Sequence, residues 1–271
     1  MTMHSTFHGT RSRARVLGGL LLLLLMLGAI VRSPSANAAQ PFWSSNYRIP
    51  NQKSKAAPAL AVYGTRLHMV HLGDTSNDLW HSSYNGTYWS TNFRIPNQKS
   101  KATPALAVYG TRLYMVHLGD TSNDLWHSSY NGTSWSTNFR IPNQKSQSTP
   151  ALAAFGGRLH MVYRGSASND LWHSIYDGGS WSPAVRIPNQ KSKAAPALAA
   201  FGGRLHMVHL GDTSNDLWHS DSDGVYWTTN VRIPNQKSRA TPGLAAYGTR
   251  LHKVHLGDTS NDLWHSWYML S

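Results

Sequence analysis

The chain has 271 residues with 25 basic side chains against 12 acidic ones, a formal charge of +13, and it contains no Cys and no Glu. Disulfides and thiol chemistry are therefore excluded, and the length allows one large domain or two small ones. Four of the basic residues fall in the first 38 positions, leaving 21 against 12 in the rest, about +9.

The first element is a leader. Arg11, Arg13 and Arg15 precede a nearly unbroken apolar run over 17–31, which is short for a bilayer span. Ala36-Asn37-Ala38 then supplies a small-residue cleavage pattern. The expectation is a secretory signal peptide over 1–38, cut near Ala38 and exported by the general route, since no Arg-Arg pair is present. An uncleaved membrane anchor is the alternative. No second segment is long and apolar, so residues 39–271 are expected to be secreted and free of the membrane.

The string Arg-Ile-Pro-Asn-Gln-Lys-Ser begins at Arg48, Arg94, Arg140, Arg186 and Arg232, each step being 46 residues. Asn-Asp-Leu-Trp-His-Ser recurs at Asn77, Asn123, Asn169, Asn215 and Asn261. Residues 58–103 and 104–149 differ at only four positions. Within the first repeat, four runs read as strands: 59–63, 66–72, 79–84 and 89–95, here a to d. Gly64-Thr65 breaks a from b, a Gly-Asp-Thr-Ser-Asn loop breaks b from c, and 96–104 links d to the next a. Asn85-Gly86 predicts a hairpin turn with both residues at positive φ. No window holds a helical period. Four strands per 46 residues define a propeller blade.

The last repeat stops after c, while residues 42–48 form an orphan d strand at the other end. Joining them predicts an all-β five-bladed β-propeller with four-stranded blades, its ring closed by the N-terminal strand so that no edge is left open. An open solenoid would want distinct capping repeats, and none is visible. The small residues of a, such as Ala59 and Ala61, suit the innermost strand. The alternating Trp89, Phe93 and Ile95 of d suit packing between blades.

In an antiparallel meander the b–c loop and the d–a link share one face of the disc, and the longer loops of a repeat protein tend to carry its function. The candidate ligand-binding residues there are Asp74, Asn77, Asp78 and Trp80 and their equivalents Asp120, Asn123, Asp124, Trp126; Asp212, Asn215, Asp216, Trp218; and Asp258, Asn261, Asp262, Trp264. An indole beside Asp, Asn and Lys suits a sugar: the ring covers its C–H face and the polar groups take its hydroxyls. The competing reading makes each Trp blade core and each Asp the cap of a turn. The third repeat has Tyr163-Arg164-Gly165-Ser166-Ala167 where the others have His-Leu-Gly-Asp-Thr, so its site is expected to be weak or silent. His68 and His71 point to opposite faces of a strand. No metal site and no cofactor are therefore expected. His81 and its equivalents are read as packing or hydrogen-bonding residues. The sequons at Asn85 and Asn131 fall in hairpin turns and carry no weight.

The five-blade plan, the repeat length and the size of the mature chain resemble the tachylectin-2-type lectins. That resemblance implies sugar pockets between neighbouring blades, one per repeat. It covers architecture and not motif. The blade sequence itself is similar to propeller repeats of secreted bacterial proteins. The turn Ser220-Asp221-Ser222-Asp223-Gly224 is similar to the sialidase-type Asp-box but has Asp and Gly adjacent, and that box is a structural turn. A weaker similarity is to secreted actinobacterial propellers that act on metalloproteases or serve as transglutaminase substrates. It implies exposed acyl-donor glutamines at Gln52, Gln98, Gln144, Gln190 and Gln236.

A multivalent lectin with glycans as partners is the leading function, because near-identical repeats imply near-identical sites. A propeller that binds or regulates a secreted protein is the alternative. Catalysis is disfavoured: a glycosidase separates the roles of two carboxylates, and nine of the twelve Asp belong to the repeat. The other three, Asp177, Asp221 and Asp223, lie in c–d turns. Basic residues are spread through the repeat and not clustered, which disfavours nucleic acid.

Overall fold

A computed structural model describes residues 46–270. The chain divides into two units, Met1–Tyr47 and Arg48–Ser271. The expected leader, its expected cleavage site and positions 42–45 lie outside the described residues. All regular structure in the second unit is strand. No helix among the described residues is long and apolar enough to cross a membrane.

The first blade is β1 (Ala59–Tyr63), β2 (Arg66–Leu72), β3 (Asp78–Tyr84) and β4 (Phe93–Lys99). The second is β5 (Ala105–Tyr109), β6 (Arg112–Leu118), β7 (Asp124–Tyr130) and β8 (Phe139–Lys145). The third is β9 (Ala151–Phe155), β10 (Arg158–Arg164), β11 (Asp170–Tyr176) and β12 (Val185–Lys191). The fourth is β13 (Ala197–Phe201), β14 (Arg204–Leu210), β15 (Asp216–Ser222) and β16 (Val231–Lys237). The fifth holds β17 (Gly243–Tyr247), β18 (Arg250–Leu256) and β19 (Leu263–Tyr268). Each blade is an antiparallel meander, and the five stand in a ring as a β-propeller. The innermost strands β1, β5, β9, β13 and β17 touch in succession, which is why this strand is rich in Ala.

The second strand of the first four blades is buried on both faces, whereas β18 of the fifth is buried only at alternate positions. In β2 the run from His68 to Leu72 is buried throughout. The core sits in the seams. Val70, Leu72, Leu79 and Ile95 of the first blade enclose Met115 of the second. Val116, Leu118, Leu125 and Ile141 of the second enclose Met161 and Tyr163 of the third. Each such side chain contributes about 1.5–3 kcal/mol by leaving water, so a blade is stable only beside its neighbour.

Two local expectations are corrected. The outer strand begins later than 89, at Phe93, and runs through the Pro-Asn-Gln-Lys segment that was expected to be linker. Trp89 makes only an isolated bridge to Tyr84. In the c–d turn only Gly86 takes positive φ. Asn85 instead accepts the Thr87 and Tyr88 N–H groups on its Oδ1, an Asx turn. Of the expected closing strand, Asn46, Tyr47 and Arg48 belong to no strand.

Candidate functional site

The outer strand is bulged. Asp78 pairs with Lys99 and Trp80 with Arg94, so the single residue Leu79 opposes residues 95–98. Asn97 absorbs the excess with φ 56°, as do Asn51, Asn143, Asn189 and Asn235 in their repeats. Asn is among the few side chains that tolerate this left-handed region. The bulge points Ile95 and Gln98 inward and pushes Pro96 and Asn97 out.

The b–c loop and the d–a link do share one face. Ser100 N–H donates to Asn77 O at 2.8 Å, and Lys101 N–H donates to Gly119 O of the next blade at 3.3 Å. Gly73 is required by contact and not by φ: a Cβ there would lie 2.5 Å from Ser76 Oγ and 3.3 Å from Trp80 Nε1.

Together these elements build a groove at the seam, floored by the bulge of one blade and walled by the b–c loop and Trp of the next. The groove between the second and third blades measures about 480 Å³, with Asn143 and Lys145 on one side and Tyr163, Ser166, Trp172 and Trp181 on the other. Its equivalent between the fourth and fifth blades measures about 400 Å³ and has His255 and Asp258 in place of Tyr163 and Ser166. The third blade therefore has an open groove with Ser166 where the other blades have Asp.

The expected ligand residues separate into two sets. Asp258 and Trp264 line their groove. Trp80, Trp126, Trp172 and Trp218 are half-buried, and Trp264 is exposed. The Asn and second Asp of the motif are occupied by the fold. Asn77 donates through Nδ2 to Asp120 of the next blade at 2.5 Å, and Asn169 does the same to Asp212 at 2.6 Å. Lys55, Lys101 and Lys193 donate to the Oδ1 of Asn77, Asn123 and Asn215. Asp78 accepts Ser76 Oγ–H at 3.0 Å and pairs with Arg94 at 3.6 Å. Asp124, Asp170 and Asp216 pair likewise with Arg140, Arg186 and Arg232.

The five glutamines do not stand exposed, which corrects that expectation. Gln98, Gln144 and Gln190 are buried, and Gln52 and Gln236 are half-buried. Gln98 accepts Ser128 Oγ–H at 2.8 Å and donates to Ser136 O at 3.2 Å, both in the next blade. They are pegs across the seams. Asn143, Lys145 and Trp181 were not singled out as ligand residues. The signal was the Pro-Asn-Gln-Lys string itself, which a linker would have no reason to keep identical.

The histidines form a second set of pegs. His68 Nδ1 lies 2.9 Å from His81 Nε2, and His81 Nδ1 accepts Trp135 Nε1–H of the next blade at 3.1 Å. His160, His173 and Trp227 repeat the arrangement. Desolvation pushes His81 down to about 3, helped by His68. It pushes His173 to about 3 and His127 to about 4. His71 Nδ1 lies 2.6 Å from Leu72 O. A different trio, His206, His219 and Asp221, brings its ligand atoms within 4.8 Å of one another.

No family model and no curated protein matches the sequence. Solved structures match the fold. The Aleuria aurantia lectin in complex with Fucalpha1-6GlcNAc superposes with TM-score 0.57 at 12% identity, over 79% of this chain and 77% of that one. The SapL1 lectin in complex with alpha methyl fucoside gives 0.60 at 15%, over 79% and 80%. An exo-beta-1,3-galactanase from Phanerochaete chrysosporium gives 0.53 at 8%, over 82% of this chain and 61% of that one. At these identities the likeness shows the fold alone: a β-propeller, the architecture on which both sugar-binding lectins and glycoside hydrolases are built.

Proposed function

We propose that the protein is a carbohydrate-binding lectin that takes glycans in the grooves between its blades. The carrying observation is the groove itself: an indole from the third strand of a blade and, in the third blade, a second from the c–d turn, facing Asn, Lys and hydroxyl groups at a seam that recurs with the repeat. Apolar walls with a few convergent polar groups define a small-molecule site, and this mixture fits a sugar better than a charged metabolite. The fold neighbours that bind fucosides agree with this reading. Recurrence of the seam makes the protein multivalent, and the leader-like N-terminus makes it a secreted one. It binds without cleaving, because the acids of the repeat are spent on Ser, Arg and Asn partners. The tachylectin-2-type plan of one pocket per seam is the arrangement we favour. The protein-partner alternative loses its acyl-donor form, since those glutamines are pegs.

A glycan array that includes α-methyl fucoside and β-1,3-galactans tests this with the intact protein. Retention of a glycan without release of reducing sugar is expected, and Trp172→Ala should weaken the third-blade site about tenfold, or about 1.4 kcal/mol. Release of sugar, or no glycan retained at all, would overturn it.

A further inference from the structure

We infer that the fourth blade binds one divalent transition-metal ion of the zinc class through His206 Nδ1, His219 Nε2 and the Asp221 carboxylate. The trio's ligand atoms converge within 4.8 Å, and no other such group occurs among the described residues. Imidazole and carboxylate together suit Zn²⁺, and three protein ligands leave a fourth position for water.

The repeat supplies internal controls. His206 and His219 are 2.9 Å apart, and the same pair occurs in the first, third and fifth blades. Only the fourth adds an acid. The position of Asp221 is Ser83, Ser129, Ile175 and Trp267 in the other blades, and that of His206 is Tyr114 in the second. His206 Nε2–H donates to Phe201 O, so His206 Nδ1 accepts the proton of His219 Nε2, and an ion seated between the rings takes that proton's place.

The outer partners also fit. A metal-bound imidazole commonly gives its other N–H to a carbonyl, and a metal-bound carboxylate is itself hydrogen-bonded. His206 Nε2 lies 3.2 Å from Phe201 O. Arg204 Nε–H holds Asp221 through Oδ1, which leaves Oδ2 for the ion. Tyr268 packs its ring against both imidazoles, with centroids 5.4 and 5.2 Å away. Among the described residues His219 and Asp221 are half-buried and His206 is buried.

Titration of the metal-free intact protein with Co²⁺, followed by visible absorption and displacement by Zn²⁺, tests the site without any sugar. One equivalent per chain is expected in a tetrahedral or five-coordinate spectrum. Asp221→Ser, which restores the residue of the first two blades, should weaken binding more than about tenfold, the scale on which even outer partners act. His206→Tyr, the natural state of the second blade, should do the same, and His160→Tyr should not. No binding, or equal binding by Asp221→Ser and His206→Tyr, would overturn the proposal. So would equal loss on His160→Tyr.

Discussion

His81, His127 and His173 are held neutral because burial strips the water that an imidazolium would need. Unfolded, the same rings titrate near about 6.5. Between that value and the folded values of about 3 to 4, the unfolded chain binds protons that the folded chain refuses. Stability therefore rises with pH in this window; it is full above about 6.5 and drains as pH falls towards 3. The urea midpoint should be flat from about pH 8 to 7 and should drop steadily from about pH 6 to 4, with three rings contributing in parallel. A midpoint unchanged across that range would mean the rings are not buried. Gln98 makes a second prediction at this scale. Its removal leaves Ser128 and the Ser136 carbonyl without their seam partner, so Gln98→Ala should cost about 1–3 kcal/mol. Transglutaminase with a labelled amine should label the glutamine only after unfolding.

At the scale of elements, the bulged outer strand is what makes a groove out of a seam. Its cost is concentrated at one backbone position per repeat. Asn97→Ala should lose about 1–2 kcal/mol through the left-handed φ, while Asn97→Gly should be close to neutral, read by thermal unfolding. The b–c loop meets a different constraint. Gly73→Ala drives a methyl into Ser76 Oγ and the Trp80 ring. It should therefore tilt the indole and weaken glycan binding more than it lowers stability. Strand existence was legible from alternation and turn residues. The late start of β4 was not, because Pro96 and the polar Asn97-Gln98-Lys99 read as linker when the partner strand is unseen. The paired Trp80 and Arg94 decide that register, and their contact is tertiary.

At the scale of the whole molecule, the seams repeat with the sequence. Tyr63 O–H donates to Thr111 O at 2.7 Å, and Tyr109 O–H donates to Gly157 O at 2.9 Å, each one blade on. The same step carried past the fifth blade would set Tyr247 against Thr65 in the first. Tyr247 is 81% exposed among the described residues, as are Leu263 at 72% and Val62 at 68%, so the fifth and first blades both present seam faces. Because the chain has no Cys, the double variant Tyr247→Cys with Thr65→Cys is a clean probe. A disulfide within single chains is expected on oxidation. Disulfide-linked dimers would mean that these faces meet between molecules. Ligand stoichiometry belongs to this scale too: calorimetry should count the third blade among the active seams, and its silence would show that the Asp missing at Ser166 is needed.

The sequence by itself determined the blade count, the strands a to c, the shared face of the b–c loop and the link, and the indole that opens strand c, because period, alternation and turn chemistry are local. Only the tertiary structure decided which polar residues are spent. Asn77 and Asp120 consume each other across a seam, Gln98 becomes a peg, and Asp221 joins two histidines that lie 15 and 2 residues from it in the chain. A side chain's partner across a blade interface is set by packing between distant segments, and near-identical repeats hide which of their copies has changed its role.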